Sequence, residues 1–140
     1  MMARSELILG LFSALACGVI GAGCDSTDEA ILPPVVDTGL LTVGWTVAGS
    51  RDPALCGTYG AAEVDVAVFD SLGNAAADAV AACEDFSLSL ELFEDVYSAD
   101  VTMFDAAGRA LTQTLTLTGL DVRAQTDLIT DVDFPPGSFF

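Results

Sequence analysis

Val64-Asp-Val-Ala-Val-Phe-Asp-Ser-Leu-Gly-Asn-Ala75 returns 35 positions later as Ala99-Asp-Val-Thr-Met-Phe-Asp-Ala-Ala-Gly-Arg-Ala110. Asp65/Asp100, Val66/Val101, Phe69/Phe104, Asp70/Asp105, Gly73/Gly108 and Ala75/Ala110 are identical. Each copy opens with apolar residues at period two, the spacing of a half-buried strand, and ends on Asp-x-x-Gly. Asp at the first turn position bonds forward to the backbone, and Gly supplies the left-handed residue a short hairpin loop requires. Each copy is therefore a β-hairpin, with Asp70, Gly73, Asp105 and Gly108 as turn residues. The spacing to glycine accounts for both aspartates without a metal or a catalytic role. The echo also settles the run 74–82, Asn-Ala-Ala-Ala-Asp-Ala-Val-Ala-Ala. It is helix-prone by propensity, yet it stands where the second copy has the strand 110–117, so a strand is expected.

Outward from the repeat, period two persists. Leu41, Val43, Trp45 and Val47 alternate with Thr42, Gly44 and Thr46, which places Trp45 in the core rather than on a sugar-binding platform. Phe86, Leu88, Leu90 and Leu92 alternate with Ser87, Ser89 and Glu91. Further strands are expected at 97–104 and at 111–118, where Leu115 and Leu117 oppose a row of Thr112, Thr114, Thr116 and Thr118. A last strand at 128–134 turns Leu128, Val132 and Phe134 inward and Asp131 and Asp133 outward. Asp52-Pro53-Ala54-Leu55-Cys56 reads as a loop with one helical turn, Asp capping and Pro at the first helical position. Short strands at even spacing, separated by Gly, Asp and Pro turns, predict an all-β sandwich. Phe69 and Phe104 fall out of phase with the valines before them. They either cap one end of the core or form an exposed pair for a partner.

The segment Val64 to Gly73, followed by Tyr97-Ser-Ala-Asp-Val-Thr-Met-Phe-Asp-Ala-Ala-Gly108, resembles the prealbumin-like or carboxypeptidase-regulatory-like sandwiches of bacterial envelope lipoproteins. The resemblance covers roughly residues 39 to 134 and rests on short motifs. It implies a single seven-stranded Greek-key β-sandwich, prealbumin-like or Ig-like, and no particular activity. The lysine-to-asparagine isopeptide bond of pilin-type relatives is out of reach here, because the chain has no lysine.

The first residues read as an address. One arginine precedes an apolar stretch, 7–20, of signal-peptide length, and no later run is long enough to span a bilayer. Gly21-Ala22-Gly23-Cys24 then gives way to Asp25-Ser26-Thr27-Asp28-Glu29. This resembles the lipobox of bacterial lipoproteins, departing from it at Gly21, where an aliphatic residue is usual. The resemblance implies that Cys24 becomes the lipid-carrying mature N-terminus. A rival box at Ala14-Leu15-Ala16-Cys17 leaves too short an apolar core. The alternative is ordinary signal-peptidase cleavage, releasing a soluble protein with a free Cys24. The expected organisation is a signal peptide at 1–23, an acidic Pro33-Pro34-containing tether at 24–38 and the sandwich at 39–140. Cys56 and Cys83 remain inside the domain, and an exported chain with two cysteines favours one disulfide. No CxxC spacing and no histidine support a redox or zinc role instead.

Four arginines against 21 Asp and Glu leave a formal net charge of −17, with no histidine. Such a domain repels nucleic acid and anionic headgroups. The missing lysine and histidine exclude Ser-His and Cys-His nucleophiles, imidazole metal sites and lysine Schiff bases. No nucleophile and base can be paired, so no enzymatic activity is expected. Calcium is the alternative ligand, with Asp127, Asp131 and Asp133 the candidates and Asp121 or the group Glu91, Glu94 and Asp95 as further oxygen donors, but without an Asp-x-Asp-x-Asp-Gly loop. The tail Phe134-Pro-Pro-Gly-Ser-Phe-Phe140 is expected to pack over the sandwich end, since its prolines break a strand. The chain thus reads as a non-catalytic, lipid-anchored protein of the bacterial cell envelope, on the periplasmic or outer-surface side. Its sandwich would contact a protein or glycan or play a structural part. The alternative is a calcium- or small-ligand-binding lipoprotein.

Overall fold

The computed structural model describes residues 37–140. The expected signal peptide, Cys24 and nearly all of the tether lie outside these residues. Seven strands form two sheets. They are β1 (Thr38–Val47), β2 (Glu63–Phe69), β3 (Ala75–Ala82), β4 (Ser87–Phe93), β5 (Asp95–Phe104), β6 (Leu115–Val122) and β7 (Asp127–Phe134). Sheet A has the order β4-β1-β7 and sheet B the order β3-β2-β5-β6. The fold is an all-β sandwich, and β1 takes in Thr38, one residue earlier than the sequence boundary.

Alternation decides which side of each strand is buried, because successive side chains point to opposite faces. In sheet A, Leu41, Val43, Trp45 and Val47 are fully buried, opposite Leu90 and Leu88 on β4 and Leu128, Val132 and Phe134 on β7. In sheet B, Val64, Val66 and Val68 face Met103, Val101 and Ala99 on β5, all without solvent exposure. These two layers are the core. β1 pairs antiparallel with β4 but parallel with β7, so the last strand of the chain closes against the first.

β3 is a strand despite its alanines. Its pairing with β2 supplies backbone hydrogen bonds that propensity does not, and Ala77, Ala79 and Ala81 turn to the valine side of the hairpin. Three elements differ in extent from the sequence expectation by two residues or more, the first being the strand expected at 97–104, which starts two residues earlier, at Asp95. The strand placed at 111–118 starts at Leu115 and continues to Val122. Residues 111–113 are shared between β5 and the C-terminal tail: Leu111 N donates to Met103 O, while Gln113 N donates to Ser138 O and Phe140 N to Leu111 O. Gly119, at φ +71°, then shifts the alternation by one, so that Leu120 and Val122 are the buried residues of the second half. The helix at 53–56 is longer than one turn. α1 (Pro53–Tyr59) starts with Asp52 accepting from Ala54 N and ends at a left-handed Gly60, a stop signal that fixes its length.

Candidate functional site

Cys56 on α1 and Cys83, at the end of β3, are disulfide-bonded with Cα atoms 6.0 Å apart. Beneath the bridge, Trp45 Nε1 donates to the Cys83 carbonyl at 2.8 Å, so the buried indole has its partner and the crossing from β3 to β4 is pinned to β1. The tail packs as expected, with Phe139 stacked on Tyr59 at 4.2 Å between ring centroids.

The two turn aspartates have the same geometry. Asp70 Oδ1 accepts from Leu72 N and Asn74 N, and Asp105 Oδ1 from Ala107 N and Arg109 N. Gly73 and Gly108 are left-handed, at φ +82° and +75°. Asn74 bonds hold the Asp70 carboxyl below its ordinary range, and Arg109 does the same for Asp105. Phe69 and Phe104 do not form a pair. They lie on the outward side of sheet B at opposite ends of the β2/β5 ladder, where Phe69 faces Ser98 and Phe104 faces Glu63. Both are partly buried. An antiparallel hairpin repeat carries equivalent residues to opposite ends, which is why the echo in sequence does not become a patch in space.

The calcium candidates are spread along one strand side rather than gathered. Asp127, Asp131 and Asp133 sit beside Leu40, Gly44 and Thr46 of β1. Asp127 accepts from Thr42, Asp131 from Arg51, and Asp133 from Thr46 and Gly49 N. Asp121 is ion-paired with Arg123 at 2.6 Å. Glu91 is inside β4 and accepts from Thr38; Glu94 accepts from Ala124 N, and Asp95, the first residue of β5, from Val96 N. Among the described residues no three acidic side chains are grouped to hold a metal.

Two surface hollows carry chemistry that the sequence did not single out. The first, about 250 Å³, opens on the outer side of sheet B between Glu63, Asp65, Asp78, Val80, Phe104 and Gly108. Asp65 Oδ1 is shielded there, without a hydrogen-bond partner among the described residues. Burial, and then the Asp78 charge within proton-sharing reach, raise the Asp65 carboxyl above its ordinary range. The second, about 330 Å³, lies on the outer side of sheet A and is lined by Thr38, Gly39, Leu40, Glu91, Gln125, Thr126 and Asp127. Around it the sheet exposes Phe93 (66%), Ile129 (65%) and Leu40 (37%). No sequence pattern could assemble this face, because it depends on the parallel register of β1 with β7, two strands about 80 residues apart in the chain.

No family model matches this chain, and no curated protein matches it. Among solved structures, a leucine-rich repeat protein from Bacteroides thetaiotaomicron VPI-5482 is similar at 13% identity and a TM-score of 0.44. That likeness covers 71% of this chain and 12% of that one, so the chain spans a small part of that protein's length.

Proposed function

We propose that the protein is a non-catalytic, lipid-anchored module of the bacterial cell envelope whose sandwich presents a docking surface to another protein. The observation that carries this reading is the outer side of sheet A, where Phe93, Ile129 and Leu40 are exposed on neighbouring strands; exposed apolar groups gathered on one face mark interaction sites more often than isolated ones do. A disulfide-linked domain fits an exported protein, and Cys24 with its small-residue neighbours supplies the anchor. Seven strands in two sheets, with β5 returning to lie beside β2 on the side away from β3, are compatible with the sandwich that the prealbumin-like resemblance implies.

One feature favours a non-catalytic role: the chain lacks histidine and lysine, so no imidazole or side-chain amine can act as base or nucleophile. A glycan partner is less favoured than a protein, since Trp45 is fully buried and cannot serve as a sugar platform. Two experiments test the reading. Metabolic labelling with an alkyne fatty acid should mark the wild type and not Cys24→Ser. A photo-crosslinking residue at Ile129 in the living cell should give a protein adduct that the same residue at Val80, on the opposite sheet, does not. No adduct at Ile129 would remove the docking reading.

A further inference from the structure

We propose, resting on that reading, that the outer side of sheet A docks a basic extended segment of a protein partner, with an arginine or lysine side chain laid across Leu40 between Glu91 and Asp127. Register fixes this geometry. Leu40 is directly opposite Glu91 on β4 and Asp127 on β7, so the three form one row across the sheet. The carboxylate-bearing strands are two strand spacings, about 10 Å, apart. The hollow of about 330 Å³ opens on this row.

The protein carries its own version of the contact two rows away. There Gly44 of β1 lies opposite Asp131, and Arg51 reaches in to bond Asp131 Oδ1 at 2.6 Å. A Cβ at Gly44 would stand 2.1 Å from that oxygen and 2.9 Å from the guanidinium, so the ion pair lies directly against the backbone of β1. Among the described residues the row at Leu40 has the carboxylates without a cation. Arg51, Arg109 and Arg123, the arginines of the described residues, are each already ion-paired, to Asp131, Asp105 and Asp121. Among the described residues Glu91 and Asp127 accept only hydroxyl hydrogen bonds, from Thr38 and Thr42.

Charge selects among occupants. A second copy would bring another net −17 against this face, whereas a basic segment is attracted to it. Exposed Ile129 and Phe93 on either side of the row call for apolar residues alternating with the basic ones, the pattern of an extended peptide lying over a sheet.

The full mature chain is titrated with a fluorescein-labelled decapeptide of alternating arginine and valine, with a citrulline-valine peptide in parallel, and the contact is mapped by amide chemical shifts. The arginine peptide should perturb β1, β4 and β7 around Leu40. The double variant Glu91→Gln/Asp127→Asn should weaken binding by about tenfold or more, as loss of close charge partners does. Asp65→Asn/Asp78→Asn, the same charge change on the other sheet, should leave it within about twofold. Equal weakening by the two double variants, or shifts spread over both sheets, would mean diffuse attraction and overturn the proposal; so would failure of the arginine peptide to bind. Equal binding of the citrulline peptide at the same residues overturns the cation pocket while leaving the docking face standing, and loss of the Ile129 crosslink removes the face itself.

Discussion

Gly39 and Gly44 are both on β1, but they are glycines for different reasons. A Cβ at Gly39 would meet the Arg123 carbonyl at 2.2 Å and Val122 Cγ1 at 2.9 Å, backbone and core that cannot step aside. At Gly44 it meets side-chain ends of the exposed Arg51 and Asp131 pair, which can rotate away. Gly39→Ala should therefore lower the free energy of unfolding by about 1–3 kcal/mol, and Gly44→Ala by less than about 1 kcal/mol, the usual worth of an exposed ion pair. Urea titration of both variants checks this, and equal costs would contradict it. Asp65 makes the opposite kind of prediction. Burial, then Asp78, make its carboxyl harder to ionise in the folded chain than in the unfolded one. Its ionisation therefore subtracts stability above the ordinary value of 3.8, and the loss is relieved as pH falls below that value. Asp65→Asn should raise the melting temperature modestly at pH 7 and not at all near pH 3. Asp70 and Asp105 have the reverse sign. Their folded carboxyls sit below the ordinary range, so the stability they add is present above it and disappears as pH drops through their folded values. Asp70→Asn and Asp105→Asn should flatten the acid limb of a melting-temperature profile between pH 5 and 2. The turn aspartates were legible in the sequence because their partners lie within four residues. Asp65 was not, because its environment comes from β3 and β5.

Elements formed where local and long-range instructions agreed, and shifted where they did not. β1 and β2 follow their valine periodicity residue for residue. β6 follows its leucines only as far as Gly119, whose left-handed backbone inverts the alternation. Its threonine row is broken as well. Thr112 is buried and accepts from Met103 N, while Thr114 bonds Thr102 and Thr116 bonds Asp100. The tail that shares residues 111–113 with β5 leaves no periodic signature, so the late start of β6 could not be read in advance. α1 was legible at its Asp52-Pro53 start and not at its end, since Gly60 stops it only once Ala61 N turns back to the Cys56 carbonyl. The disulfide joins this helix to the end of β3 across 27 positions. On the chain-entropy account the bridge contributes roughly 3 to 4 kcal/mol by restricting the unfolded chain. Cys56→Ala/Cys83→Ala should lose about that much in urea titration without changing the far-ultraviolet spectrum of the sheets. A loss below about 1 kcal/mol would mean that the Trp45 to Cys83 carbonyl bond and the core hold the crossing unaided.

At the scale of the whole molecule, the all-β class was legible because the runs at period two and the echo that settles 74–82 all point to strands, while the pairing partners were not. Nothing in residues 38–47 or 127–134 marks them as parallel neighbours, and the face on sheet A exists only through that pairing. Charge is the other property of the whole. With a formal −17 and the three described arginines each held by one aspartate, the remaining carboxylates repel one another in the folded state more than in the expanded chain. Added sodium chloride screens that repulsion over about 10 Å at 0.1 M, so the melting temperature should rise with salt and level off. Calcium and magnesium at matched ionic strength separate screening from a site. On the docking reading the two ions raise the melting temperature equally, because Asp127, Asp131 and Asp133 are spaced along one strand and already hold Thr42, Arg51 and Thr46. A calcium-specific excess that saturates at millimolar concentration, and that Asp131→Asn abolishes, would instead mean a cation bound by the native state. Arg51 would then be the residue displaced when calcium binds, and the ligand-binding alternative would replace the docking one.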